Sequence, residues 1–237
     1  MKLLALDTSM QACSAAVLVK NGRQITVHNL FERLGRGHAE RLMPMVDEVL
    51  ALATIHVKEL DRLAVSTGPG TFTGVRIGLA AARGLALALK LPLVGENSLR
   101  LIAADTFANA SLQPGSLVGV VMDARRDQLY FQLFDEHGPV DQSGPRLLFP
   151  QQVDKFLPSG RNIFLVGSGL SLLHSHLDKT TRKIIHLSDF RAGRPQPDAA
   201  HLARLAVHIS PTGKSLSPLY LRPADAKTQS GYAIERR

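Results

Sequence analysis

The chain has 237 residues, 45% of them hydrophobic, which is enough for one large or two modest domains with a buried core. Its net charge is +8, but only 5% of its residues are aromatic, and the sequence shows no aromatic and basic cluster typical of an RNA-binding motif. The first apolar run is too short for a signal peptide, and no run reaches the roughly eighteen residues of a membrane span, so we expect a cytoplasmic protein. The lone Cys13 excludes an internal disulfide, and we expect a buried, unreactive thiol.

The first half of the sequence predicts a three-stranded meander followed by alternating helices and strands. The meander strands are 3–6, 14–19 and 24–31, with Asn21-Gly22 as a hairpin turn. Apolar residues spaced by three and four predict a helix over 38–53, which Pro44 must kink or restart. The remaining elements are a strand at 61–66, a helix over 75–89, a strand at 93–94 and a helix over 98–109.

A glycine-rich stretch, Ser66 to Gly78, lies between a predicted strand and the helix over 75–89. It reads S-T-G-P-G-T-F-T-G-V-R-I-G. Such a turn can cradle an anion, because the first N–H groups of a helix point into it. It can equally be a tight turn whose glycines are needed for packing, since the pattern is neither a Walker A nor a dinucleotide-binding motif. From the spacing alone the two interpretations are about equally supported.

The helix over 75–89 has almost no polar face. Between Ile77 and Leu89 its only charged side chain is Arg83, and most of the others are alanine, glycine or leucine. Such a helix is either wrapped by its own fold or covered by a partner.

The second half of the sequence repeats the element order of the first. Strands at 117–123, 128–134 and 145–149, a helix over 150–157, a strand at 162–166 and a helix over 169–177 follow one another. This order predicts an α/β fold made of a duplicated ribonuclease-H-like unit. The strand-ending carboxylates Asp7 and Asp123 are then expected to face each other across a cleft, beside glycine turns. A linker (191–198), a helix (199–209), an extended run (218–222) and a tail from Ala224 complete the chain.

The residues expected of an enzyme are incomplete. The nine histidines form neither His-x-x-x-His nor His-Glu-x-x-His, and no nucleophile elbow is present, so we predict no catalytic residues and no metal site. Paired aspartates could still hold magnesium with a nucleotide. The candidate residues of such a degenerate nucleotide cleft are Asp7, Thr8, Gly68, Gly70 and Asp123.

Several motifs together resemble the TsaB family, also called YeaZ. They are Asp7-Thr8, G-H-A-E-R-L-M-P-M-V at 37–46, G-P-G-T-F-T-G-V-R-I-G at 68–78, Met122-Asp123-Ala124-Arg125 and Tyr220-Leu221-Arg222. The resemblance implies an actin-like, sugar-kinase-type (ASKHA) fold of two subdomains, 1–110 and 111–210, with a C-terminal segment at 211–237. It also implies a non-catalytic subunit of the bacterial machinery that makes threonylcarbamoyladenosine in tRNA.

In that family the catalytic subunit is the paralogue TsaD, which carries a His-x-x-x-His metal motif where this chain has Gly95 to Leu101 and no histidine. The resemblance implies a heterodimer with TsaD, a homodimer when alone, further contact with the ATPase TsaE, and tRNA bound through the complex. It implies no cofactor of the chain's own, with ATP or ADP at the complex, and no membrane. The predicted partner interface lies on the helices over 38–53 and 75–89. Its residues are Leu42, Met45, Val46, Val49, Val75, Gly78, Ala82 and Leu85.

Two alternatives remain at the level of sequence. One is an enzyme of the same fold, either an ATP-dependent small-molecule kinase or a glycoprotease-like metallohydrolase, for which the missing metal pair is unfavourable. The other is a stand-alone RNA-binding protein, for which we expect only weak binding of tRNA by the isolated chain.

Overall fold

The computed structural model describes residues 1–141, 144–177, 195–213 and 215–222, together with the backbone of 185–187. The predicted tail from Ala224 and residues 191–194 of the predicted linker lie outside these ranges.

The first sheet is a five-stranded unit built around β1. Its strands are β1 (Lys2–Asp7), β2 (Ala12–Asn21), β3 (Gln24–Arg33), β4 (Arg62–Ser66) and β5 (Leu93–Glu96). The strand order is β3-β2-β1-β4-β5, antiparallel from β3 to β1 and parallel from β1 to β5. Leu4 pairs with Val17 on one side and with Leu63 on the other, so β1 is central and buried. The predicted meander and its hairpin are confirmed, but the two turn residues are Gly22 and Arg23, because Asn21 is the last residue of β2 and pairs with Gln24.

The second sheet repeats this arrangement. Its strands are β6 (Leu117–Asp123), β7 (Leu129–Asp135), β8 (Gly138–Pro139), β9 (Arg146–Leu148), β10 (Ile163–Val166) and β11 (Ile185–Leu187). The order β11-β10-β6-β7-β8, with β9 also on β7, puts β6 in the place of β1 and β10 in the place of β4. The antiparallel and parallel pairings recur in the same positions. The predicted α/β fold, a duplicated ribonuclease-H-like unit of the actin-like type, is confirmed.

Five α-helices and two 3-10 helices occur in the described residues. They are α1 (His38–Leu52), α2 (Phe72–Leu89), α3 (Ser98–Asn109), α4 (Leu170–His174) and α5 (Ala199–Ala206), with 3-10 turns at Val57–Glu59 and Pro150–Phe156. Helix α1 continues through Pro44 without a second start. Helix α2 begins at Phe72 rather than Val75, because the Thr71 side chain accepts a hydrogen bond from the Gly74 N–H and caps the helix there. The run 218–222 forms no strand.

Successive residues of β1 point to opposite faces of the first sheet, and different helices cover each face. Leu4 and Leu6 pack with α1 and α2, whereas Leu3 and Ala5 pack with α3 and α5. The other side of α3 packs through Leu99, Ile102 and Ala103 on the second sheet. Helix α3 therefore joins the two halves.

Helix α5 packs in the first half, although its residues fall within the predicted second subdomain, 111–210. Its buried residues Leu202 and Ala206 lie in the same core as Leu3 and Ala5. The Arg62 guanidinium donates to the carbonyl oxygens of Ala206 (2.7 Å) and Ile209 (2.9 Å), which tie the end of the helix to β4. The chain thus returns to its first sheet after completing the second, which no local sequence pattern indicates.

The placement of α5 predicts a stability effect. Leu202→Ala should lower the free energy of unfolding by about 3 kcal/mol, because it opens a cavity in the core of the first half. Arg204→Ala, on the exposed side of the same helix, should change it by less than about 0.5 kcal/mol. Urea denaturation measures both, and equal effects of the two variants would contradict the assignment of α5 to this core.

Candidate functional site

The glycine turn between β4 and α2 is occupied by the end of β1. The Thr71 N–H donates to the Ser9 carbonyl oxygen (2.7 Å), and the Thr8 hydroxyl donates to the Gly74 carbonyl oxygen (2.7 Å). The Thr8 and Ser9 side chains are both buried. The segment 7–9, which the sequence placed beside the turn, therefore lies inside it.

Three glycines, one in the turn and two in the first turns of α2, allow this contact because a larger residue would overlap the residues at the end of β1. A Cβ atom on Gly70 would lie 2.2 Å from the Ser9 carbonyl oxygen, and one on Gly74 would lie 2.1 Å from that of Thr8. A Cβ on Gly78 would lie 2.7 Å from the Thr8 hydroxyl oxygen. Of the two interpretations left open by the sequence, the packing of the turn is the one that this geometry supports.

Asp7 ends β1 inside this contact. Its side chain is fully buried and accepts hydrogen bonds from the Ser9 hydroxyl (2.8 Å), the Ser9 N–H (3.3 Å) and the Ser66 hydroxyl. Burial raises the pKa of Asp7 to about 6, while the hydrogen bonds from Ser66 and Ser9 lower it in part. Ser98 donates to the Ser9 hydroxyl oxygen (3.0 Å) and extends this buried polar cluster to the start of α3.

The second half repeats the turn but not the surroundings of its aspartate. A Cβ on Gly167 would lie 2.1 Å from the Val121 carbonyl oxygen, so this turn also packs against the end of its first strand. Asp123 is partly exposed, accepts the Arg125 N–H (2.7 Å) and lies 3.5 Å from the Arg125 guanidinium. Asp7, in contrast, has no exposed surface. Because Asp7 is buried, it does not face Asp123 across a cleft, and the expectation is corrected for this residue. Nucleotide binding stays a prediction.

The predicted partner interface is wrong at the level of side chains. Seven of its residues are buried in the chain's own core, where α1 and α2 pack on the first sheet, and Leu85 is partly buried against the same core. The seven are Leu42, Met45, Val46, Val49, Val75, Gly78 and Ala82. An apolar stripe with helical spacing marks the face that the helix buries, and here that face is used within the monomer.

The exposed side of α2 is apolar in its C-terminal half apart from Arg83, whereas the exposed side of α1 also carries Glu40, Asp47 and Glu48. On α2, Leu87 is 82% exposed, and Ala80, Gly84 and Ala88 are exposed beside it. On α1, Met43 and Leu52 are exposed. We call these six residues the outer face. Among the helices of the described residues, α2 alone is long and apolar enough to cross a membrane by length and composition, but its inner face is part of the core on the first sheet.

A C-terminal segment, residues 215–222, lies along α2 and reaches the second half. The Arg83 guanidinium donates to the Leu216 carbonyl oxygen, and the Leu219 N–H donates to that of Thr67 (2.8 Å). The Arg222 guanidinium donates to the Gln128 side-chain oxygen (2.5 Å) and to the Arg125 carbonyl oxygen (3.2 Å). No local sequence pattern predicts these contacts, because they join residues at least 94 positions apart.

The remaining candidate groups are the Cys13 thiol and the possible metal-binding side chains. Cys13 is buried, as expected, and burial raises the pKa of its thiol to about 11. Within the described ranges, no three His, Cys, Asp or Glu side chains are grouped as a metal site requires.

The contact between the turn and β1 predicts opposite effects for the same added methyl group. Gly70→Ala should lower the free energy of unfolding by at least about 3 kcal/mol, because its Cβ would overlap the buried backbone of Ser9. Gly84→Ala, on the exposed side of α2 with open space around it, should raise it by up to about 1 kcal/mol. Chemical denaturation tests the pair, and a neutral Gly70→Ala would contradict the described contact.

The burial of Asp7 predicts a pH dependence. Its folded pKa, about 6, is above its ordinary value of 3.8, so its favourable effect on stability is complete below pH 3.8 and is lost as the pH rises through 6. Asp7→Asn should therefore gain about 2 kcal/mol relative to the unchanged protein between pH 4 and pH 7. Thermal unfolding across this range measures the gain, and a pH-independent difference between the two proteins would show that Asp7 is not buried as described.

Comparison with known proteins places this geometry in a family. The model of the family TsaD, tRNA N6-adenosine threonylcarbamoyltransferase, matches residues 27–156. The tRNA threonylcarbamoyladenosine biosynthesis protein TsaB of Haemophilus influenzae is 40% identical over 129 residues, which are 54% of this chain and 52% of that protein. The chain spans about half the length of the curated relatives that it matches first.

Solved structures match over more of the chain. YeaZ from Pseudomonas aeruginosa has a TM-score of 0.72 and 30% identity, covering 87% of this chain and 90% of that one. A second Pseudomonas aeruginosa structure, described as an uncharacterised protein with similarity to the peptidase YeaZ, has a TM-score of 0.78 and 29% identity, covering 93% and 99%. With the two-sheet duplication, these matches show that the chain belongs to the TsaB/YeaZ family.

Proposed function

We propose that this chain takes part in the biosynthesis of threonylcarbamoyladenosine in tRNA as a non-catalytic partner of a TsaD-type subunit. The observation that carries the proposal is the outer face, an exposed apolar surface on helices whose inner residues already form the core. The names of the related proteins indicate the pathway, which is tRNA threonylcarbamoyladenosine biosynthesis.

The interior of the candidate site supports a non-catalytic role. In a kinase of this architecture, the first-strand aspartate and the glycine turn would meet the nucleotide phosphates and their magnesium ion. Here the Ser9 carbonyl oxygen occupies the space next to Gly70, and the Asp7 oxygens accept hydrogen bonds from Ser9 and Ser66. Substrate could reach neither group without separating β1 from α2.

The outer face has the composition of a helix-packing surface. Exposed Ala80, Gly84 and Ala88 would let a partner helix approach closely, and Leu87 would fill the space between helices. Because α1 and α2 pack together on the first sheet, two helices of this chain and two of a related fold would form a four-helix contact.

We place the remaining partners around this contact. TsaD would occupy the outer face, and a second copy of this chain would occupy it when TsaD is absent. TsaE and tRNA would join the assembly in the cytoplasm, and ATP or ADP would be bound by the complex rather than by this chain.

The proposal predicts the effect of a charge on the outer face. Leu87→Asp should weaken association with TsaD, and self-association of the isolated chain, at least about thirtyfold, because it buries an unpaired carboxylate at the contact. Val140→Asp, a change of an exposed apolar residue in the second half, is the matched control and should leave both unchanged. Calorimetry with TsaD and sedimentation of the chain alone measure the two effects.

Two results would overturn the proposal. Equal binding of TsaD by Leu87→Asp and Val140→Asp would remove the outer face from the interface. Turnover of magnesium ATP by the isolated chain with a small-molecule acceptor would instead support the kinase alternative.

A further inference from the structure

An exposed aromatic and arginine cluster forms where the C-terminal segment crosses the start of α2. The Phe72 and Tyr220 rings are stacked, with centroids 6.0 Å apart and planes at 29°. The Arg76 guanidinium lies 3.6 Å from the Phe72 ring centroid, and its Nε donates to the Tyr220 hydroxyl oxygen (2.7 Å). The sequence could not predict this cluster, because Arg76 and Tyr220 are 144 positions apart.

Both rings remain open to solvent despite these contacts, since Phe72 is 61% exposed and Tyr220 is 51% exposed. Anchoring of the C-terminal segment does not account for this exposure. The segment is already held at Leu216, at Leu219 and at Arg222 by the hydrogen bonds to Arg83, Thr67 and Gln128.

Further arginines lie near the cluster. Arg222 follows Tyr220 by two residues and donates to the carbonyl oxygen of Arg125, and the exposed side chains of Arg125 and Arg126 belong to that turn. Asp123, paired with Arg125, and the exposed Asp127 offset part of this positive charge.

We propose that this surface, which we call the aromatic–arginine surface, binds single-stranded RNA. Exposed ring faces stack on unpaired bases, and adjacent guanidinium groups neutralise the phosphates that follow. The proposal rests on the proposed role in tRNA modification and deepens it, since an unpaired loop of a tRNA would have a contact surface on this chain. The net charge of the whole chain, +8, is consistent with a polyanionic ligand such as RNA.

The direct test uses the full chain alone and a fluorescently labelled oligouridylate of about twelve nucleotides at low salt. Phe72→Leu keeps an apolar side chain but removes the ring, and it should weaken binding at least about fivefold. Phe149→Leu removes an exposed aromatic ring of the second half and is the matched control, with no expected change. Fluorescence anisotropy measures the affinities.

Salt dependence provides an independent readout. Arg222→Gln should lower the slope of the logarithm of affinity against the logarithm of salt concentration by about 0.7, as expected for one lost phosphate contact. A duplex of the same length should bind more weakly than the single strand, because its bases are not free to stack.

Three outcomes would overturn the proposal: unchanged RNA binding in Phe72→Leu, equal losses in Phe72→Leu and Phe149→Leu, or loss of TsaD association in Phe72→Leu with RNA binding intact. The last result would make the surface a protein-docking site. A failure of the proposed partner role can be distinguished from a failure of RNA binding. It would appear as retained TsaD binding by Leu87→Asp, which is measured in an assay without RNA.

Discussion

The insertion of the end of β1 into the glycine turn is the contact on which the rest of the molecule depends. It joins the central strand of the first sheet to the helix that carries the outer face, through one hydrogen bond between backbone atoms and one from the Thr8 hydroxyl to a backbone carbonyl oxygen. Backbone contact of this closeness is available only to glycine, because the overlap involves carbonyl oxygens that cannot move aside as a flexible side chain would. The position of α2 is therefore fixed at its first turn.

The fixed position of α2 explains why the turn between β4 and α2 resembles a phosphate-binding loop but lacks the space that such a loop leaves for its ligand. In both halves a strand, a glycine turn and a helix follow one another, and in both the turn closes on the strand that opens the half. The two aspartates differ because Asp7 lies beneath Ser9, Ser66 and Ser98, whereas Asp123 borders the exposed turn at Arg125. Duplication preserved the backbone arrangement while the carboxylates acquired different surroundings.

The sequence predicted the fold well because its signals are local. Strand alternation, the hairpin between β2 and β3 and the repeated order of elements each depend on neighbouring residues, and each is confirmed, although the hairpin turn lies one residue later than predicted. The interface residues were wrong for a definite reason: helical periodicity identifies an apolar stripe but does not say whether the monomer or a partner covers it. Val49 and Ala82 are covered by the chain itself, and the outer face at Leu87 was not predicted. The return of α5 to the first sheet and the stacking of Phe72 on Tyr220 depend on distant parts of the chain, which spacing rules do not address.

The C-terminal segment touches both halves of the duplicated fold at separate points, on α2 through Leu216 and on the β6–β7 turn through Arg222. Arg222 follows Leu216 by six positions, so the segment between these points has a maximum span. A movement that separates the halves beyond this span must break the contact at Leu216 or the contact at Arg222. The segment thus limits how far the two halves can separate while both contacts are kept.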